Sequence, residues 1–209
     1  MKRIREAWEI VRQNRKAYII LNVVYYGLVV IFMVVAAFNQ PLQDSLLEGA
    51  GDAFTSGPLS LVGSAYINAE VFLAIALTFV VNLVLGSFIE ITLPAAIIPF
   101  SGLLVGIYRA VLWGLLLSPA HPDLRLAMIP HSITLLLEGQ GYILAMLAAY
   151  VQGRSFLWPK TVGLERHRDG YLAGLKLTGK LYLLVILVLA VAAVYEVIEA
   201  VILAAMFSN

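Results

Sequence analysis

Arg109, Glu138, Glu196 and Glu199 each lie inside a long apolar stretch, where an ionised side chain is expensive unless it meets a partner, a cavity or the interface. A guanidinium is suited to such a place, because its planar fork can hold one carboxylate bidentately or two at once. With three acids to one base, the same cluster could instead bind a proton or a cation. Asn82, Glu90, His131 and Gln140 are further polar residues in these stretches, placed either to line a route or to fix packing. In one 25-residue stretch His131, Thr134, Glu138, Gly141 and Ala145 follow steps of three and four, so they share one helical face. Asn82, Gly86 and Glu90 do the same in another.

Much chemistry is missing. The chain has no cysteine, which removes thiolate catalysis, disulfides and Cys-ligated metal. It also has no His-Glu-x-x-His motif, no Gly-x-Ser-x-Gly elbow and no phosphate-binding glycine loop. The three histidines are dispersed, and Glu196 and Glu199 lack the His companions of a di-iron carboxylate site. No catalytic residue, metal or cofactor is expected, and the chain reads as a non-enzyme.

The elements that must carry these residues follow from composition. Of 209 residues, 61% are apolar and 13% charged, about half the charge of an ordinary soluble domain, so a soluble globule is excluded. Five runs are long enough to cross about 30 Å of hydrocarbon: residues 17–38, 70–92, 93–117, 129–153 and 181–207. The expected fold is therefore all-α, a polytopic membrane helix bundle of about five transmembrane helices. The first run exceeds the apolar core of a secretory signal, so it is read as a retained helix.

The formal net charge of +1 hides a segregation that reports orientation rather than nucleic-acid binding. Six of the fourteen Lys and Arg lie in residues 1–16 and six more in residues 154–180. Both segments fall on the same side of a five-span topology. The positive-inside rule then places the N-terminus in the cytoplasm and the C-terminus outside a cell membrane. Residues 1–16 read as an amphipathic interfacial helix, with Arg5, Trp8, Arg12 and Lys16 facing lipid. Residues 39–69 read as an external loop holding a second surface helix over residues 41–54. Residues 70–209 form the four-helix core. The expected partners are the bilayer itself and other membrane proteins or a second copy.

Depth arithmetic at about 1.5 Å per residue brings Arg109, Glu138, Glu196 and Glu199 to overlapping levels in the outer half, and this predicts direct pairing of Arg109 with Glu138 and with Glu196 or Glu199. Glu90 is expected at a tight cytoplasmic turn, with Pro94 starting the next helix and Pro99 kinking it or marking a break. Gly102 and Gly106 form a small-xxx-small pair, and with Gly86 and Gly141 they are the expected points of close helix packing.

Over about residues 70–207 the chain resembles the stage II sporulation protein M family. Asn82 with Gly86, the pair Gly102 and Gly106, Pro130-His131, and Ile198-Glu199-Ala200 are similar to its motifs. Ser101 stands where an Asn is common, Ser132 replaces a Gly, and the acid expected soon after that motif comes late, at Glu138. The resemblance implies a multi-pass membrane scaffold that, in spore formers, works with peptidoglycan hydrolases during engulfment; related proteins also occur in organisms that do not sporulate. The alternative function is an ion or small-solute channel or transporter using the buried Arg and Glu residues.

With no native thiol to interfere, single-Cys variants at Ser56 and Lys160 are expected to label from opposite faces of oriented vesicles with an impermeant reagent. Labelling of both from one face contradicts the five-span topology.

Overall fold

The computed structural model describes residues 2–207, which are mostly helical with no strand among them. The helices are α1 (Lys2–Gln13), α2 (Arg15–Ala37), α3 (Gln40–Thr55), α4 (Ser60–Ile67), α5 (Val71–Val80), α6 (Leu93–Ile97), α7 (Ser101–Leu116), α8 (Met128–Leu157) and α9 (His167–Phe207). A π-helical segment, Val81–Thr92, joins α5 to α6, so residues 71–97 form one continuous helix. Four helices are long and apolar enough to cross a membrane: Arg15–Ala37, Val71–Ile97, Met128–Leu157 and His167–Met206. α7 is apolar but shorter, 16 residues.

α8 is the centre of the bundle. It packs against α9, α2, α7 and the π segment, and 72% of its apolar window is buried, against 17% for α2. Small residues make this possible. Gly141 accommodates the Leu189 side chain, Gly106 that of Met146, and a Cβ on Gly102 would collide with the Ile91 carbonyl oxygen. The α7 backbone therefore lies directly on the π segment. Apolar side chains fill the rest: Tyr25, Val29, Ile91 and Met146 on one side of α8, and Leu147, Leu181, Val185 and Leu189 on the other.

The turn between the second and third apolar runs lies elsewhere than expected. The helix continues past Thr92 and through Pro94 to Ile97, and the chain reverses over residues 98–100. Pro94 is tolerated because it occupies the first turn of α6, where bonding returns from the π to the α pattern and a missing N–H costs least. Pro99 sits in the turn and kinks no helix. Phe100 follows with a left-handed φ of 68°, a conformation costing about 1–2 kcal/mol in a bulky residue. Its ring is held against Gly153, Tyr150 and Trp158, which fixes the strained residue in place.

α1 is more than a surface helix. Ala7, Ile10 and Val11 are buried against α8 and α9, and Glu6 meets Lys180 at 3.0 Å. The neighbouring Lys180 holds the Glu6 carboxyl below its usual range. The contact therefore contributes fully above that range and is lost as pH falls below it through the lowered value, and its exposure keeps the contribution small. Arg5, Trp8 and Arg12 remain on the exposed face of α1, whereas Lys16, also exposed, lies in the first turn of α2 because α1 ends at Gln13. α9 begins at His167, so much of the basic stretch read as a loop is its first four turns. On the opposite end of the bundle, α3 does not simply lie flat. Gln43 is fully buried and donates to the carbonyls of Leu116 (3.1 Å) and Ser118 (3.0 Å), capping the end of α7. α4 was not anticipated from sequence.

Gly102→Ala is expected to destabilise the protein by about 1–3 kcal/mol, because the obstacle is backbone and cannot rotate away. Gly27→Ala, with nothing within 4 Å, is the matched control and should be neutral or mildly stabilising. Unfolding in mixed micelles compares the two.

Candidate functional site

The candidate site is a chain of buried polar groups. Arg109 projects from α7 toward Gly86, whose missing side chain leaves room for the guanidinium. Arg109 Nη1 donates to Glu90 Oε2 at 2.6 Å and Nη2 donates to the Tyr142 hydroxyl at 2.9 Å. The guanidinium carbon also lies 4.1 Å from the Tyr142 ring centroid and 5.6 Å from that of Trp113. Two aromatic faces and a carboxylate thus replace the water a free guanidinium would have. Arg109 Nε is buried without an acceptor.

Tyr142 passes the connection on. Its hydroxyl donates to Asn82 Oδ1 at 2.9 Å, and Asn82 Nδ2 donates to Glu138 Oε1. The Glu196 carboxyl lies beside Glu138, and the Tyr66 hydroxyl meets that of Thr78 at 3.0 Å. Glu196 Oε2 is buried and unsatisfied. Glu199 forms a separate cluster, accepting from His131 Nδ1 at 2.9 Å and from the Thr134 hydroxyl at 2.6 Å. In this arrangement Nδ1 is the protonated ring nitrogen.

The direct partner of Arg109 is therefore Glu90, not Glu138, Glu196 or Glu199. Depth arithmetic brought the four residues to similar levels but could not give their azimuth around each helix. Glu138 stands three hydrogen bonds from Arg109, through Tyr142 and Asn82. Glu90 is no turn cap: with the reversal at residues 98–100, it lies well inside the helix, its side chain 47% exposed on the flank. Gln140 belongs to a different contact. It accepts from Tyr18 (2.6 Å) and donates to Asn22 (2.6 Å) and Tyr26 (3.1 Å), tying α2 to α8.

Tyr142 and Tyr66 are the residues the sequence reading missed. Tyr142 falls one turn after Glu138 on the polar face of α8, a signal hidden by counting aromatics as core. The stripe itself holds, with Thr134, Glu138, Gly141 and Ala145 all buried.

A cavity of about 290 Å³ opens near the start of α8 and is lined by Tyr66, Met128, His131, Glu196 and Glu199 among others. Glu138 is 8% exposed and is not part of its lining. Among the described residues no group of three or more His, Asp or Glu is arranged to hold a metal ion. Compared with known protein families, curated proteins and solved structures, the chain has no match.

Arg109→Gln is expected to cost about 3–5 kcal/mol, since it strands Glu90 and the Tyr142 hydroxyl. Adding Glu90→Gln should recover about 1 kcal/mol or more of that loss in thermal unfolding. Strictly additive losses contradict a direct pair.

Proposed function

We propose that the chain is a five-span protein of the cell membrane, related to the stage II sporulation protein M family. In this reading its N-terminus is cytoplasmic and its C-terminus external, and it organises partner membrane proteins rather than catalysing a reaction. α7 supplies the fifth span: its 16 residues run antiparallel to residues 71–97 and extend about 24 Å, about 6 Å short of the hydrocarbon thickness, a mismatch a bilayer accommodates by local thinning.

The observation that carries the scaffold reading is Glu90. A carboxylate half-exposed on the flank of a spanning helix is costly in lipid, and Arg109 reaches only one of its oxygens. Phe88, Ile89 and Leu93 beside it are also exposed. A partner's transmembrane helix with a hydrogen-bond donor at this depth would cover both the apolar ridge and the carboxylate. The interior favours the same reading. α8 is buried almost without interruption from Glu138 to Gly153, leaving a closed core suited to holding shape.

One observation favours a second reading, a proton- or cation-coupled transporter. The 290 Å³ cavity brings His131, Glu196 and Glu199 to an open mouth, with the Glu138 carboxyl beside Glu196.

A photo-crosslinking residue at Ile89 in the native membrane is expected to give an adduct of one discrete mass, at several-fold higher yield than the same residue at Ile31 on α2. Adding Glu90→Ala should reduce it. Equal, diffuse labelling at both positions contradicts a docking flank, and an adduct of twice the chain mass makes the partner a second copy. In proteoliposomes, gradient-driven flux abolished by Glu138→Gln would transfer the assignment to transport.

A further inference from the structure

At the opposite end of α8, away from the carboxylate cluster, α1, α2 and α8 enclose an open cleft of about 580 Å³. Arg12, Arg15, Lys16 and Arg154 line it, together with Gln13, Asn14, Ala17 and Tyr150. Four of these eight residues are cations and none is an acid. Arg154 comes from α8 and is half-buried, whereas the other three cations are exposed at the junction of α1 and α2. Repulsion should scatter them, yet the fold gathers them around one space.

The cleft is built rather than incidental. Asn14 Nδ2 donates to the Ile10 carbonyl at 2.9 Å, which turns its oxygen toward α8, and Arg154 Nη1 donates to that oxygen at 3.2 Å. One end of the guanidinium is thus held by a neutral acceptor while its charge is left uncompensated. Among the described residues Arg15, Lys16 and Arg154 meet no carboxylate. Arg12 has only Glu9, at 3.7 Å with both side chains largely exposed, a contact of little worth. A smaller polar cleft of about 180 Å³ continues behind Arg154, with Ser155 and Thr161 on its wall.

Position identifies the anion. Arg15 is the first residue of the apolar helix α2, and Arg154 lies three residues before the end of α8. Both therefore stand where apolar helices leave the hydrocarbon, the level of lipid phosphates, and Tyr150 adds the aromatic group favoured there. Basic pockets between membrane helices on the cytoplasmic side are suited to phosphate headgroups, and arginine forks match phosphate oxygens in pairs.

We infer that this cleft is a specific site for the phosphodiester headgroup of an anionic phospholipid, with Arg154 as its fixed anchor and Arg12, Arg15 and Lys16 closing over it. The site depends on α2 and α8 being membrane-embedded, and is independent of whether the protein scaffolds or transports. It also differs from general attraction of a basic helix to a charged surface, because Arg154 belongs to the bundle.

The full chain in uncharged detergent, titrated with phosphatidylglycerol, cardiolipin or phosphatidylcholine and read by native mass spectrometry and thermal shift, tests this. Binding and stabilisation by the two anionic lipids are expected, with phosphatidylcholine at least about tenfold weaker, a difference of about 1.4 kcal/mol. Arg154→Gln should weaken anionic-lipid binding by about tenfold and Arg154→Lys by less, while Arg5→Gln, outside the cleft, changes it less than about twofold. If Arg154→Gln does not fold, Arg15→Gln combined with Lys16→Gln at exposed positions carries the same expectation. Equal losses in Arg5→Gln and Arg154→Gln overturn the inference, as does indifference to headgroup charge. Displacement of lipid by equimolar inorganic phosphate overturns it too, by making the ligand a free anion.

Discussion

A guanidinium cannot be left alone among apolar helices, and the arrangement of α7, the π segment and α8 gives both terminal nitrogens of Arg109 a partner, leaving only Nε without one. Its charge is met by Glu90 on the same helical hairpin and its remaining surface by the Tyr142 ring and hydroxyl from α8. Those contacts demand short interhelical distances. Gly86 makes space for the guanidinium itself, and Gly102 and Gly106 let α7 approach close enough to deliver it. Small residues and a single buried charge are thus two halves of one constraint, since neither close packing without a partner nor a partner held at ordinary distance would suffice.

From Tyr142 the same network runs on through Asn82 to Glu138, with the Glu196 carboxyl nearby. A polar network held between packed helices specifies register, because shifting any helix by a residue leaves a buried group unpaired. That role needs no water-filled route, and the burial of α8 closes the middle of the bundle. Arg109 Nε and one Glu196 oxygen are buried without partners and Glu90 is half-exposed, so the network is incomplete at these three places.

The helices were legible because apolar run length and charge placement are one-dimensional properties. The polar face of α8 was legible for a similar reason: steps of three and four residues define a face without knowledge of its surroundings. The identity of Arg109's partner was not. Pro94 and the residues before it read as a turn, which put Glu90 at a helix end, but the π segment carries the helix past Pro94 to Ile97 and moves Glu90 inside. Gln140 shows a second limit: it sits two residues from Glu138 yet faces α2, because adjacent helical positions point in different directions. The burial of Gln43 against the end of α7 and the packing of α1 under α9 depend on contacts between distant segments, and no local pattern announces them.

Solid-state magnetic resonance on protein in lipid, with ¹⁵N in arginine and ¹³C in glutamate and tyrosine, tests the central ion pair directly. In the difference between the native chain and Arg109→Lys, the account predicts close dipolar contacts from the guanidinium to one glutamate carboxyl and to one tyrosine ring, the former disappearing in Glu90→Gln. A guanidinium whose contacts are to lipid acyl carbons, or whose glutamate contact survives Glu90→Gln, would contradict it.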